Sequence, residues 1–372
     1  MADPRYDQLA DVLVGYSCAL QPGEKILIES IDAPHAFTRA LIRRVHAAGG
    51  VPLVTLKSNV VFRELMLAAS EEQMRLIGEA ELVRMKNVDA YVGVRCWENV
   101  SEWSDIPPDK LKLYQRHYYQ PVHLDRRVRN TRWVVLRWPN PAMAQLASMS
   151  TEAFEDFYFR VCTLDYAHMS AALQPLRELM DRTDRVRLVA PDTDLRFSIR
   201  GIPAVPCDGH RNIPDGEVYT APVLDSVEGK IRFNSVSVYQ GGTHDDIRLE
   251  VRGGKIVAAT SSDTPRLNHV LDTDAGSRSF GEFAIGFNPH VTRPMKDILF
   301  DEKIAGSIHL AVGNCYDEAP NGNKSQIHWD MVLRMDLAAG GGEVWFDDVL
   351  IRKDGRFVIR ELEGLNPERL TG

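Results

Sequence analysis

The chain has 372 residues, with 44 Lys plus Arg against 52 Asp plus Glu, for a formal charge of −8 with histidines neutral. That acidity lacks the basic surplus of a nucleic-acid binder. Hydrophobic residues at 44% and charged residues at 26% are ordinary globular usage, which excludes disordered and low-complexity classes, and the length predicts two domains.

The opening residues show no basic stretch followed by an apolar one, so no secretory leader is expected. No apolar run reaches the roughly 18 residues of a membrane span. Cys18, Cys96, Cys162, Cys207 and Cys315 are scattered and form no CxxC, which predicts neither a disulfide framework nor a thiolate zinc site, and fits a reducing, cytoplasmic compartment.

Leu9, Val12, Leu13, Tyr16 and Leu20 predict a helix over 6–20, closed by Pro22-Gly23. A buried strand follows at 25–29 (KILIE), then a helix over 36–48 ended by Gly49-Gly50, and a strand at 51–56 (VPLVTL). A further helical stretch, a strand at 89–96, a basic helical segment over 110–129 and a strand at 133–138 continue the alternation. Strands separated by helices predict a parallel sheet covered on both faces. No GxGxxG follows these strands and no GxxxxGK[ST] occurs, so this half reads as scaffold and pocket wall. Arg126, Arg127, Arg129 and Arg132 read as a solvated helix face or a dimer contact.

Helical patterns fill 152–180. From 185–190 (RVRLVA) onward the texture changes to short strands with Gly and Asp turns, including a hairpin over 246–260 about Gly253-Gly254 and one over 343–359 about Asp354-Gly355. Thr243 to Asp246 is expected in a solvated, glycine-led turn. The fold class expected is α/β: an N-terminal parallel-sheet α/β domain over 1–185, followed by a mixed α+β, strand-rich metal-binding domain over 186–372.

Four segments of the second half carry the chemistry. In SQIHWDMVL, strand alternation aims His328 and Asp330 to one face and Ile327, Trp329 and Met331 to the other. In FDEKIAGSIHLAVG, His309 lies in an apolar strand with Glu302 seven residues earlier, and Tyr316 follows seven residues later. Glu282 opens an apolar strand in GEFAIGFNP, and Glu217 starts one after the Pro214-Asp215-Gly216 turn. Each alone reads better as a salt-bridged, core or strand-end residue than as a ligand. Together, four carboxylates and two imidazoles would neutralise two divalent cations, and oxygen and nitrogen ligands without sulfur suit zinc, cobalt, manganese or magnesium.

At NIPDGEVYTAP, GEFA, FDEK with HLAVG, and IHWDMV the chain resembles the aminopeptidase T and aminopeptidase S family of dinuclear metallopeptidases, over most of its length and in the same order. The resemblance implies that Glu217, Glu282, Glu302, His309, His328 and Asp330 are metal ligands and that Tyr316 lies close to the metals. It also implies a homodimer that releases N-terminal amino acids from peptides. Tyr316 would then hydrogen-bond the tetrahedral oxyanion, and Glu282 or Glu302 would accept a proton from water.

The stretch DEAPNGNKSQI between Tyr316 and His328 is shorter than in usual members, which keeps open an amidase or deaminase acting on a small aryl or cyclic amide. A second alternative follows from His309, His328 and Asp330, which also compose the two-histidine, one-carboxylate set of non-haem Fe(II) enzymes. Ring-cleaving dioxygenases of the dihydroxypyridine type are similar in overall chain pattern, but carry histidine at the position of Glu282 and lack His309, so those two positions favour hydrolysis. A binding or assembly protein that has lost activity fits the complete ligand set least.

Overall fold

The computed structural model describes residues 3–371. The chain forms two compact units: residues up to Tyr166 together with Gly209–Pro214, and Ala167–Asp208 together with the chain from Asp215 onward. The single crossing expected near residue 185 falls inside the second unit. The helix Tyr166–Arg182 belongs to that unit from Ala167 on, and the chain later returns to the first, where Asn212 and Ile213 pair in parallel with Val135 and Leu136. A two-residue strand has no periodicity to read, so that return left no mark in the hydrophobic pattern.

The α/β class holds. In the first unit the strands Val51–Lys57, Lys25–Ile31, Ala90–Arg95, Arg132–Arg137 and Asn212–Ile213 lie side by side in that order, every neighbouring pair parallel. The helix expected over 6–20 begins as Pro4–Asp11, where Pro4 takes the first helical position and Asp3 caps the Arg5 amide, and continues as a wider π-helical stretch, Val12–Ser17. The basic segment likewise runs from the helix Pro108–Tyr114 into π-helical Gln115–Val128. This winding buries Tyr118, Val122, His123 and Arg127. Arg127 is therefore no part of a solvated face: its guanidinium stacks 4.3 Å from the Trp133 ring and its Nε donates to His123 Nδ1 at 3.2 Å.

The second unit holds an antiparallel eight-stranded sheet and an antiparallel five-stranded sheet. The hairpin expected about Asp354-Gly355 is two turns. Glu343–Phe346 pairs with Val349–Lys353 about Asp347-Asp348, and Asp354-Gly355 joins the latter strand to Arg356–Phe357. Asp347 and Asp348 both take positive φ, 45° and 69°, as a tight hairpin turn requires. The Asp347 carboxylate pins this turn by accepting the backbone amides of Asp184 and Arg185. His244 also departs from expectation. It is fully buried, its ring 5.0 Å from Trp329, because Gly242–His244 is a strand paired with Ser237–Tyr239. Among the described residues no helix is long and apolar enough to cross a membrane.

Candidate metal centre

The five-stranded sheet has the strand order His328–Arg334, Ser307–Gly313, Phe280–Gly286, Glu217–Thr220, Val205–Cys207. Residues registered across antiparallel strands share a face. The register pairs Glu217 with Gly286, Ala284 with both Tyr219 and His309, Glu282 with Ala311, Ala311 with Asp330, and Gly313 with His328. Five of the six expected ligand residues thus stand on one face, each registered against a glycine or an alanine. The opposite face carries Val218, Phe283, Ile285, Ile308, Leu310, Val312, Trp329, Met331 and Leu333, all buried. One face is a packed core, and the other sets the expected ligands beside Ala284, Gly286, Ala311 and Gly313, with Tyr219 and Val332 on the same face.

A bulge aims the central carboxylate. The register between Phe280–Gly286 and Ser307–Gly313 slips between Phe280 and Glu282, leaving Gly281 as the extra residue. A side chain at Gly281 would meet the Gly313 carbonyl oxygen at 2.5 Å, so only glycine fits. The sixth residue, Glu302, comes from off the sheet and follows the short helix Ile298–Asp301.

The side chains converge. His309 Nε2 lies 3.2 Å from Glu282 Oε1 and 3.9 Å from Asp330 Oδ1, and its Nδ1 is 3.6 Å from Glu217 Oε2. His328 Nε2 lies 3.1 Å from Glu282 Oε2 and 3.3 Å from Asp330 Oδ1. Its other nitrogen, Nδ1, is 2.8 Å from the Asn314 carbonyl, which accepts its proton and leaves Nε2 facing the acids. Yet Glu217 Oε2, His309 Nδ1, His328 Nε2 and Asp330 Oδ1 are buried without a hydrogen-bond partner. Buried polar atoms are normally satisfied, and these four belong to two acids and two imidazoles that face a common space. That donor set fits divalent cations. Glu217, Glu282 and His309 bring ligand atoms within 4.8 Å of one another, as do Glu282, His328 and Asp330, and also Glu302, His309 and Asp330.

The electrostatics agree with this reading. Burial works against the charged imidazoles, but Asp330 and Glu282 outweigh it and raise His328 to about 12. Glu217 and Glu282 raise His309 in the same way. Burial also opposes the ionised form of Asp330, which the histidines nonetheless hold at about 2. The field at this face demands positive charge. Tyr316 stands beside it, its ring 4.7 Å from that of His328 and 5.4 Å from that of Tyr219.

Three residues of the site carry no mark in the sequence. Lys303 is 1% exposed; its ammonium contacts the Glu302 carboxylate and lies 3.4 Å from Glu217 Oε1 and 4.0 Å from Asp215 Oδ1. Burial would lower its pKa, but Glu217 and Asp215 raise it, so it stays an ammonium. Asp215, read as a turn residue, is buried, and the Asn288 amide donates to its carbonyl. Cys207 is registered directly opposite Glu217. A lysine following a glutamate reads as surface, and only the pairing of Val205–Cys207 with Glu217–Thr220 brings the thiol in.

The fold is shared with wild-type AmpT from Thermus thermophilus, at a TM-score of 0.78 and 20% identity over 96% of this chain and 99% of that one. It is also shared with 2,5-dihydroxypyridine dioxygenase from Pseudomonas putida, at a TM-score of 0.62 and 13% identity over 96% and 98%. In sequence the chain is 32% identical to aminopeptidase 2 of Geobacillus stearothermophilus, over 94% of each protein. Residues 2–357 match the profile of the thermophilic metalloproteases, and the chain belongs to that family, M29.

Proposed function

We propose that in this metal-dependent aminopeptidase Glu217, Glu282, Glu302, His309, His328 and Asp330 hold two divalent cations. Zinc, cobalt, manganese and magnesium all suit this ligand set. The observation that carries the proposal is the group of four buried, unpartnered ligand atoms on one sheet face. The charge supports the number two: Asp215, Glu217, Glu282, Glu302 and Asp330 with the Lys303 ammonium leave four negative charges, those of two divalent ions. Such ions supply Lewis acidity and lower the pKa of water toward neutrality.

The chain's own groups do the rest. Glu282, between the two histidines, accepts the proton of the attacking water. Water oxygen adds to the scissile carbonyl carbon, and the Tyr316 hydroxyl donates a hydrogen bond to the tetrahedral oxygen. The carbon–nitrogen bond then breaks, and the leaving amine takes the proton from Glu282.

Peptides with a free N-terminus are the proposed substrates. A homodimer is the proposed assembly, supported by the apolar side chains left exposed on the edge strand Val51–Lys57 and the helix after it: Val51, Val54, Leu56, Val60 and Val61. The five cysteines are free thiols, which fits the cytoplasm.

Metal analysis by mass spectrometry, combined with assays on aminoacyl-anilides, dipeptides and small aryl amides, tests the proposal. Two ions and aminoacyl turnover are expected, with both lost in Glu217→Gln and His309→Ala. Full metal content and activity in both variants would refute the ligand assignment. Turnover of aryl amides alone would move the function to an amidase, and oxygen uptake on hydroxylated pyridines after anaerobic iron loading would move it to a dioxygenase.

A further inference from the structure

We propose that Lys303 is a tethered cation that fills the inner end of the carboxylate row, keeping the position formed by Cys207, Asp215 and Glu217 closed to a further metal ion. The inference rests on the two-cation reading above and deepens it, because it explains why the count stops at two.

Lysine is almost never fully buried unless paired, and Lys303 is paired with three carboxylates at once. Two of them, Asp215 and Glu217, also belong to a group with Cys207 whose ligand atoms all lie within 4.8 Å of one another. One thiolate and two carboxylates form a competent set for zinc, cobalt or cadmium. The ammonium stands against that set and supplies the positive charge it would otherwise take from a metal.

Glu217 joins the two positions. Its Oε1 faces Lys303 at 3.4 Å, while its Oε2 faces His309 Nδ1 at 3.6 Å and has no hydrogen-bond partner. Lys303 thereby orients Glu217 and commits one of its oxygens to the catalytic cations. It is a positioning residue that acts through Glu217. Without it, the five carboxylates would exceed the charge of two divalent ions by one, and Cys207 would be free to lose its proton to solvent on coordination.

The test loads the full chain with Co(II) and reads bound metal by mass spectrometry and thiolate-to-cobalt charge transfer by near-ultraviolet absorption. Wild type and Asp215→Asn should hold the same number of ions and show no thiolate band. Lys303→Met should hold one ion more and gain the band, and the added substitution Cys207→Ser should abolish it. An unchanged count without a band in folded Lys303→Met would overturn the proposal. Loss of an ion in Asp215→Asn would also overturn it, because Asp215 would then be a catalytic ligand, and Lys303→Gln, read in the same way, decides the matter if Lys303→Met fails to fold. The test reads the increment, so a wild-type count other than two would strike the two-cation reading and leave the lysine inference to be judged on the difference.

Discussion

Both units of the molecule bury a glutamate among aromatic and charged side chains, and the two sites end differently. In the parallel sheet, Glu29 accepts at both oxygens, from Tyr91 at 2.8 Å and from Lys57 at 2.7 Å, with Arg95 at 3.8 Å. In the antiparallel sheet, Glu282 meets two histidines, and there His309 Nδ1, which faces Glu217, His328 Nε2, which faces Glu282 and Asp330, and the oxygens Glu217 Oε2 and Asp330 Oδ1 all lack hydrogen-bond partners. Buried charge by itself therefore does not mark a functional site here. What distinguishes the second cluster is atoms that are buried, polar and unsatisfied, and that face one another.

The contrast can be broken most forcefully at Glu282. Glu282→Gln removes the proposed proton acceptor while keeping the shape, and activity should fall roughly a hundred- to ten-thousand-fold. Steady-state kinetics on an aminoacyl-anilide reads it, and activity within threefold of wild type would remove Glu282 from that role. The matching change in the first unit, Glu29→Ala, should cost about 3–5 kcal/mol of folding stability, because it strands Lys57 and Arg95 beside a buried hole. Urea unfolding measures that loss. Bound metal should stay at the wild-type level, and a loss of metal would show that the two clusters are not independent.

Gly281→Ala sharpens the comparison from the backbone side. The new methyl would press on the Gly313 carbonyl, shift the bulge and turn Glu282 away. About tenfold weaker metal binding is expected, together with about 1–3 kcal/mol of destabilisation. Calorimetric titration of the metal-free protein should show it, and unchanged affinity would mean that the bulge does not aim the carboxylate.

The smallest effect is a slope in pH. Burial lowers His123 from 6.5 to about 3, and Lys57 and Arg95 overcome burial to hold Glu29 at about 2 against 4.5. In both cases the unfolded chain binds the proton first as pH falls, so folding is strongest above the unfolded values. Stability contributed by His123 is then lost from about pH 6.5 down to about 3, and that of Glu29 from about 4.5 down to about 2. Urea midpoints taken at pH 7, 5.5 and 4 should decline, and His123→Gln should flatten the upper part of the slope. A decline of unaltered steepness in that variant would assign it to other groups.

The alternation in IHWDMV was legible because a strand has a period of two, and the structure puts His328 and Asp330 on the face opposite Trp329 and Met331. The parallel sheet was legible for the same kind of reason, since apolar runs such as KILIE are buried on both sides. Lys303 was not, because nothing local says whether a charged side chain turns inward. Asp215 and Cys207 become neighbours of Glu217 only through long-range pairing, and the π-helical winding that buries Arg127 changes the period on which helix reading relies. Fold alone would not have chosen the chemistry either, because the same fold serves AmpT and a dioxygenase.

The small residues beneath the proposed ligands have one more consequence. Ala284, Gly286, Ala311 and Gly313 act as a mould, in which the size of the missing side chains sets the size of what the sheet can receive. Replacing one alanine with valine would leave every ligand in place and still deny space to the guest. Binding capacity in this protein is thus written twice, once in the acids and imidazoles that attract and once in the residues that stay out of the way, and a scan for ligands alone would see only half of the inscription.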